Sequence, residues 1–317
     1  MKKNMAYMLI GIRVRMAMWN ASFSKYAKQN SMGEEYGSPQ ALGFAIKEQL
    51  HRDGYNILYR KQVNDKGVMD LKAVFESKIG SVNKALKTEK DVKEILFKKF
   101  TDIVNFGTTF TAKGYPSFGV TGAVQIGVAQ NKFKGTETIV NDMLPCFSAE
   151  NAKKKKDEKD DEKLTSNTLG EQILLDKAHF LYDVTLNPFQ YKDLVKELDD
   201  FNGYTEEDYN VFKKASMRAV SNLNSKSKKG CTNEFAMYVE TNDDVKDTID
   251  LNCLGEYVEV YEKDGKTVYD LRELASLLYD VKNSIKSIEI YYDNRLLNLV
   301  GSIENAKFFN IKTGRKI

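Results

Sequence analysis

Histidine is nearly absent from this sequence: His51 and His179 are the two present in 317 residues. They lie far apart, with no His-Glu-x-x-His and no Cys-x-x-Cys, which excludes the common zinc arrangements and leaves both as structural residues. Cysteine is almost as scarce. Cys146, Cys231 and Cys253 are odd in number and widely spaced, the pattern of reduced thiols in a cytosolic protein rather than of a disulfide frame. No G-x-x-x-x-G-K-[ST] or G-x-G-x-x-G occurs, so the usual nucleotide-enzyme signatures are missing. GYPSFG lacks the spacing of a nucleophile elbow, which makes Ser117 a loop hydroxyl. Excess charge of one sign is missing too. The 48 basic and 45 acidic side chains leave a net +3, so any nucleic-acid surface has to come from local clustering. The most apolar stretch, MAYMLIGIRVRMAMW, is interrupted by Arg13 and Arg15 and is too short to span a bilayer. A membrane role and a cofactor are therefore not expected.

What is present is the composition of a globular protein, with 42% hydrophobic and 11% aromatic residues. The opening stretch alternates, Ile12, Val14, Met16 and Met18 against Arg13, Arg15, Ala17 and Trp19, which predicts a strand with one buried face and the arginines in solvent. A helix follows, with Ser38 as N-cap, Pro39 at its first position and Leu42, Ile46 and Leu50 one turn apart, ended by Gly54. YNILYRKQV reads as a strand, residues 68 to 86 as helical, and Glu89 to Val104 as a firmer helix carrying Val92, Ile95, Leu96, Phe100 and Ile103 on one face. AVQIGVAQ reads as a short strand. Residues 130 to 186 break the pattern as an inserted hairpin-like projection. Its tip is KKKKDEKDDEK (Lys153 to Lys163), a solvated run. Thr205 with Asp208 makes a capping box for a helix reaching Leu223. EFAMYVE is a strand, YVEVYEKDGKTVYDL a hairpin turning at Asp264-Gly265, RELASLLYDVKNSI an amphipathic helix and SIEIYYD the last strand. This order predicts an α+β fold of split βαβ, ferredoxin-like character.

No set of these residues assembles a reaction. Backbone recognition is better represented. FGTTFTAKGYPSFGVTGAVQIG, residues 106 to 127, holds five glycines with several hydroxyls and Lys113, and such a loop lets main-chain N–H groups approach an anion. The loop Ser22 to Ser31 interleaves Lys25 and Lys28 with Phe23 and Tyr26. The loop Asn222 to Gly230 carries Lys226, Lys228 and Lys229 among serines. Each alone reads as a solvated loop. Together on one frame they suit single-stranded nucleic acid about as well as plain solvation.

The same residues resemble a known family. FGTTFTAKGYPSFGVTGAVQIG is similar to the signature that precedes the inserted thumb in the crRNA-binding backbone subunit of type I CRISPR Cascade complexes, closest to type I-B, in the repeat-associated (RAMP) superfamily. LGEQILLDKAHFLYDVTLNPF resembles the segment returning from that thumb, and SKSKKG the short basic loop after the next helix. Two departures stand out: Ala123 occupies the usual proline position in TGAVQ, and the early basic pair of the first helix is missing from Ala41 to Phe44, leaving Lys47 as the candidate there.

The resemblance implies a modified RNA-recognition-motif palm (1–129 and 187–317), helical fingers at about 55–105 and an inserted β-hairpin thumb (130–186) with a flexible charged loop (151–164). It implies a non-catalytic, cytoplasmic subunit that stacks head to tail with copies of itself along crRNA, beside other Cascade subunits, while the guide pairs with target DNA. The RNA-binding residues it implies are Asn20, Ser22, Lys25, Lys28, Lys47, Gly107, Thr108, Thr109, Lys113, Thr121, Gly122, Gln125, Lys226, Lys228 and Lys229. Two rival readings remain. One is an RNA-guided endoribonuclease of type III kind, against which the loop after the first strand offers Glu34 and Glu35 but no aspartate. The other is a structural or regulatory protein without RNA.

Overall fold

In a computed structural model, residues 1–65, 67–80, 86–143, 170–243 and 249–317 are described. Cys146 and the charged loop expected at 151–164 lie outside them. The opening segment forms β1 (Ala6–Ala17), but the expected single buried face is wrong. Ala6, Met8, Ile10, Ile12 and Val14 enter one apolar cluster, and Tyr7 and Leu9 enter a second on the opposite side. The reason is position: β1 is an interior strand covered by a layer on each face, so it is apolar on both sides until Arg13.

After a loop, β2 (Tyr36–Gly37) leads into α1 (Pro39–Arg52), with Pro39 in its first turn and Leu42, Ile46 and Leu50 buried as expected. Ser38 is the N-cap residue, yet its hydroxyl does not cap; it donates to Asn20 Oδ1 at 3.2 Å. YNILYRKQV is not a strand. Only β3 (Val63–Asn64) forms, paired with β4 (Gly67–Val68), while the N–H groups of Leu58 and Tyr59 donate to the buried Asp102 carboxylate at 2.9 and 2.8 Å. A distant side chain supplies what a neighbouring strand would have supplied. α2 spans Leu71–Ile79, shorter than expected. The helix expected from Glu89 to Val104 is two, α3 (Glu89–Lys99) and α4 (Thr101–Phe106), because Phe100 adopts extended backbone to enter the core and the Thr101 N–H turns to Asn56 O.

The glycine-rich stretch forms a hairpin, β5 (Gly107–Phe110) and β6 (Phe118–Thr121). AVQIGVAQ is broken into β7 (Val124–Ile126) and β8 (Ala129–Asn131). Ile126 pairs with Val184 but Gln130 with Leu181, which leaves one extra residue as a bulge. β9 (Thr138–Met143) pairs with the outer end of β10 (Gly170–Leu186), and β10 continues along β1 from Leu175 to Leu186. A short 3-10 turn and α5 (Lys192–Glu197) precede α6 (Glu206–Ser216). The α6 capping box from Thr205 and Asp208 is made in both directions, although the helix ends before Leu223. β11 (Cys231–Thr241), the hairpin β12 (Glu259–Lys263) and β13 (Lys266–Asp270), α7 (Arg272–Asp280) and β14 (Ile285–Tyr292) follow the expected order. Asp264 and Gly265 at the hairpin turn both have positive φ, 52° and 74°. β14 is not the last strand. β15 (Leu297–Val300) joins β13, and β16 (Ala306–Asn310) lies parallel to β14.

The main sheet runs β16-β14-β11-β1-β10-β8-β2, with β7 and β9 also on β10. Its four central members along the chain are β1, β7, β10 and β11. They lie in the spatial order β11-β1-β10-β7, all antiparallel, with α1 between the first two in sequence and α6 between the last two. One face packs on α1 to α4 and α6. The other is covered by β12, β13, β15 and α7 around Phe235 and Tyr269, whose rings stack at 4.8 Å. No described helix is long and apolar enough to cross a membrane. Cys231 is buried, its thiol pushed up to about 12 by burial, and Cys253 is exposed.

Candidate nucleic-acid interface

The glycine-rich hairpin is built on its own backbone. Gly107 ends α4 with φ 72° and ψ −163°, a region glycine alone occupies readily. A Cβ there would meet Val120 O at 2.1 Å and Gly122 N at 2.4 Å, and a Cβ on Gly122 would meet the Phe106 carbonyl carbon at 2.1 Å. The close approach of the chain to itself at the base of the hairpin therefore requires glycine at both positions. Gly119 differs: a Cβ there has only Thr108 O near, at 3.9 Å. Buried tyrosines hold the base of the hairpin. Tyr191 OH donates to Val104 O (2.8 Å) and accepts from Ala123 N (3.2 Å), and Tyr204 OH donates to Asn105 Oδ1 (2.8 Å). The tip is pinned by Phe75, edge-on to Phe110 and Tyr115 at 5.1 and 5.4 Å.

Between this hairpin and α1 lies an open groove of about 700 Å³, lined by Lys47, Tyr59, Phe106, Gly107, Thr108, Thr109, Gly119, Val120, Thr121, Gly122 and Gln125. It continues into a second hollow beside Pro39, Gln40, Gly43 and Phe44. The sequence-based candidates Lys47, Gly107, Thr108, Thr109, Thr121, Gly122 and Gln125 are thus brought to one surface. Among the described residues that line it, Lys47 is the only lysine or arginine. Its ammonium lies 5.5 Å from the ring centres of both Tyr59 and Phe106 and forms no ion pair with a described residue. Burial lowers its pKa, against a smaller opposing pull from Asp102. Asp102 itself is raised by burial and spends its oxygens on the Leu58 and Tyr59 amides. Tyr59 OH in turn bonds Thr108 Oγ1 (2.6 Å) and Thr109 O (3.0 Å), locking the groove wall, while Gln125 Nε2 donates to Gly122 O. The result is a half-buried cation on a wall of hydroxyls and backbone, suited to a phosphate.

The other candidates sit apart from this groove. Lys113 is exposed in the β5–β6 turn and does not line it. Asn20 is used internally, accepting from Ser38 and donating to Tyr36 O. Ser22 closes a tight turn by donating to Tyr26 O, with Lys25 at φ 71° on the same turn and Lys28 half-buried beyond it. Phe23 on that turn is fully exposed. The basic loop lies against the start of this one: Met18 N donates to Ser227 O at 2.9 Å. Lys228 does not face outward. Its ammonium donates to the Met18 and Trp19 carbonyls and is partly desolvated. Lys226 and Lys229 are exposed on the same loop. Tyr59, Phe106, Phe44 and Gln40 were missed from the sequence. Tyr59 was hidden in an expected strand, whereas Phe106 opens the quoted motif and could have been taken from it.

The family model "CRISPR-associated protein Cas7" matches residues 4–282. Among solved structures, a chain of a "CRISPR RNA-guided surveillance complex, pre-nicking" superposes with a TM-score of 0.55 at 13% identity, covering 94% of this chain and 96% of that one. A chain of a "CRISPR RNA-guided surveillance complex" gives 0.50 at 14% identity, covering 94% and 95%. At those identities the likeness is one of fold. No curated protein sequence matches. The family match covers most of the chain, and with it the groove and both basic loops: the chain belongs to the Cas7 family of CRISPR-associated proteins.

Proposed function

We propose that this chain is a non-catalytic backbone subunit of a type I CRISPR effector, closest to type I-B, that holds the sugar-phosphate backbone of crRNA in the groove between α1 and the glycine-rich hairpin. Family membership supports a crRNA-binding role, and the solved chains of similar fold come from RNA-guided surveillance complexes. The observation that carries the reading is Lys47, a half-buried ammonium that forms no ion pair with a described residue and stands on a wall of hydroxyls and main chain. Contacts of that kind are indifferent to base sequence, as a subunit that must accept any guide requires.

On this reading the order β11-β1-β10-β7 supports an RNA-recognition-motif-like palm, 1–129 and 187–317. Residues at about 55–105 are its fingers, and β9 with the outer end of β10 forms the root of a thumb within 130–186. Copies stack head to tail along one guide in the cytoplasm, with other Cascade subunits at the ends, and target DNA is bound through base pairing. Such open stacking needs an external ruler, which the guide supplies.

An endoribonuclease is the weaker reading. Glu34 is bonded to Asn30, and Glu35 to Gln29 and Asn131, so both carboxylates of the loop after β1 serve its structure. Two experiments test the proposal. The chain co-expressed with a CRISPR array should co-purify with spacer-length RNA; clean protein that also fails to shift added guide overturns it. Guide-loaded protein with complementary RNA and magnesium should leave that RNA intact; cleavage at fixed positions would sink the non-catalytic reading.

A further inference from the structure

Lys228 reads in the sequence as one more cation for RNA, but the fold turns it inward. Its ammonium donates to Met18 O at 2.8 Å and to Trp19 O, and it stands 5.3 Å from the centre of the Trp19 ring. Two of the three donors of the ammonium are thus committed to the chain leaving β1. Backbone bonds fasten the same loop to that strand: Met18 N donates to Ser227 O at 2.9 Å and Arg15 N to Gly230 O at 3.0 Å. Gly230 lies so close to Arg15 O that no Cβ fits between them. Trp19 carries the contact onward. Its ring is buried, and its Nε1 donates to the buried Tyr182 OH of β10 at 2.7 Å. That hydroxyl donates in turn to Ser38 O at 3.2 Å. Ser38 is the N-cap residue of α1, the helix that carries Lys47 further along. Gly37, just before it, packs on Tyr182 OH with no room for a Cβ. A continuous chain of polar contacts therefore runs from the loop before β11 to the start of α1.

We propose that Lys228 is a positioning residue for the groove: it clips the turn after β1 in place and, through Trp19 and Tyr182, sets where α1 presents Lys47 to RNA. The inference rests on the reading of the groove as the RNA site. Hydrogen bonds from a charged donor are stronger than neutral ones, and this donor is half-buried, where such bonds are least weakened by water. A side chain engaged in this way supports a neighbouring site without touching its ligand. The role differs measurably from a phosphate contact, because a positioning residue changes affinity without changing the number of counterions released.

The test is binding of a labelled single-stranded RNA to the full chain over a sodium chloride series, for wild type, Lys228→Met, Lys47→Met and the two combined. Lys228→Met should weaken Kd by about 2- to 30-fold, the range for coupling carried through packed side chains, with the slope of log K against log salt unchanged. A slope lowered by about 0.7 is the loss of one phosphate contact and overturns the positioning role. Independent sites add, so in the Lys47→Met background Lys228→Met should do little; fully additive effects overturn the inference. Trp19 is the only tryptophan of the chain, and its emission reads the clip directly. Emission of the RNA-free protein should change in Lys228→Met; unchanged emission overturns the clip. Emission and affinity should both return toward wild type in Lys228→Arg, whose guanidinium can donate to both carbonyls. If Lys228→Met fails to fold, Tyr182→Phe breaks the same chain of contacts from its other end. It should show the same weaker Kd, unchanged slope and lack of additivity with Lys47→Met, and wild-type binding by folded Tyr182→Phe overturns the inference. Wild-type binding by Lys47→Met retires the groove and this inference with it. A weakened Lys47→Met beside an unaffected Lys228→Met retires this inference alone.

Discussion

Lys47→Met is the most informative single change in the groove. Methionine keeps most of the aliphatic stem, so the substitution removes charge more than volume. In the free protein two effects oppose each other. Two cation–π contacts at 5.5 Å are lost, worth about 0.5–1 kcal/mol each where exposed, while the desolvation that lowers the ammonium's pKa is relieved. Stability should therefore change little. In the bound state the variant loses one charge-assisted hydrogen bond to phosphate, about 1.5–3 kcal/mol, or roughly a 10- to 150-fold weaker Kd. The salt slope for single-stranded RNA should fall by about 0.7. Fluorescence anisotropy with labelled guide RNA across a salt series reads both quantities. Binding and slope equal to wild type would refute the assignment of Lys47 to phosphate, whatever the stability.

Gly107→Ala and Gly122→Ala should each destabilise the fold, the first by about 1–3 kcal/mol from backbone strain alone, with the clash against backbone in addition. Gly119→Ala should melt as wild type, and thermal denaturation of the three in parallel checks this. Phe75→Ala should cost about 3–5 kcal/mol and free the β5–β6 tip from α2, seen as faster amide exchange at residues 110 to 118. With a pKa lowered from 10.5, Lys47 binds fewer protons in the folded than in the unfolded chain between its folded value and 10.5. Its contribution to the stability of the RNA-free protein thus rises with pH across that window. Lys132, Lys228 and Lys312 act in the same sense, so the test is the difference in alkaline slope between wild type and Lys47→Met; identical slopes would refute it.

Features with local causes were legible in the sequence. Thr205 and Asp208 announce a capping box, Asp264-Gly265 a hairpin turn, and Pro39 a helix start, because each depends on residues a few positions apart. The groove was legible as a region for the same reason: one contiguous motif supplies most of its wall. Long-range causes were hidden. Asp102 replaces a strand for Leu58 and Tyr59 from over forty residues away. Phe100 leaves a helix to enter the core, where its ring meets Phe75 of α2. Period-two reading failed at β1 because burial on both faces erases the alternation it relies on. Lys228 looked like a phosphate clamp because nothing in NSKSKKG reveals that the Met18 and Trp19 carbonyls lie within its reach.

In the proposed complex, guide RNA runs through the groove between α1 and the glycine-rich hairpin. Ultraviolet cross-linking of the guide-loaded chain, followed by mass spectrometry of RNA-linked peptides, tests it most directly. Adducts are expected on peptides carrying Phe44, Tyr59 and Phe106, and should be lost in competition with unlabelled guide. Adducts confined to other segments, with these three aromatics unmodified in a fully RNA-bound sample, would contradict it.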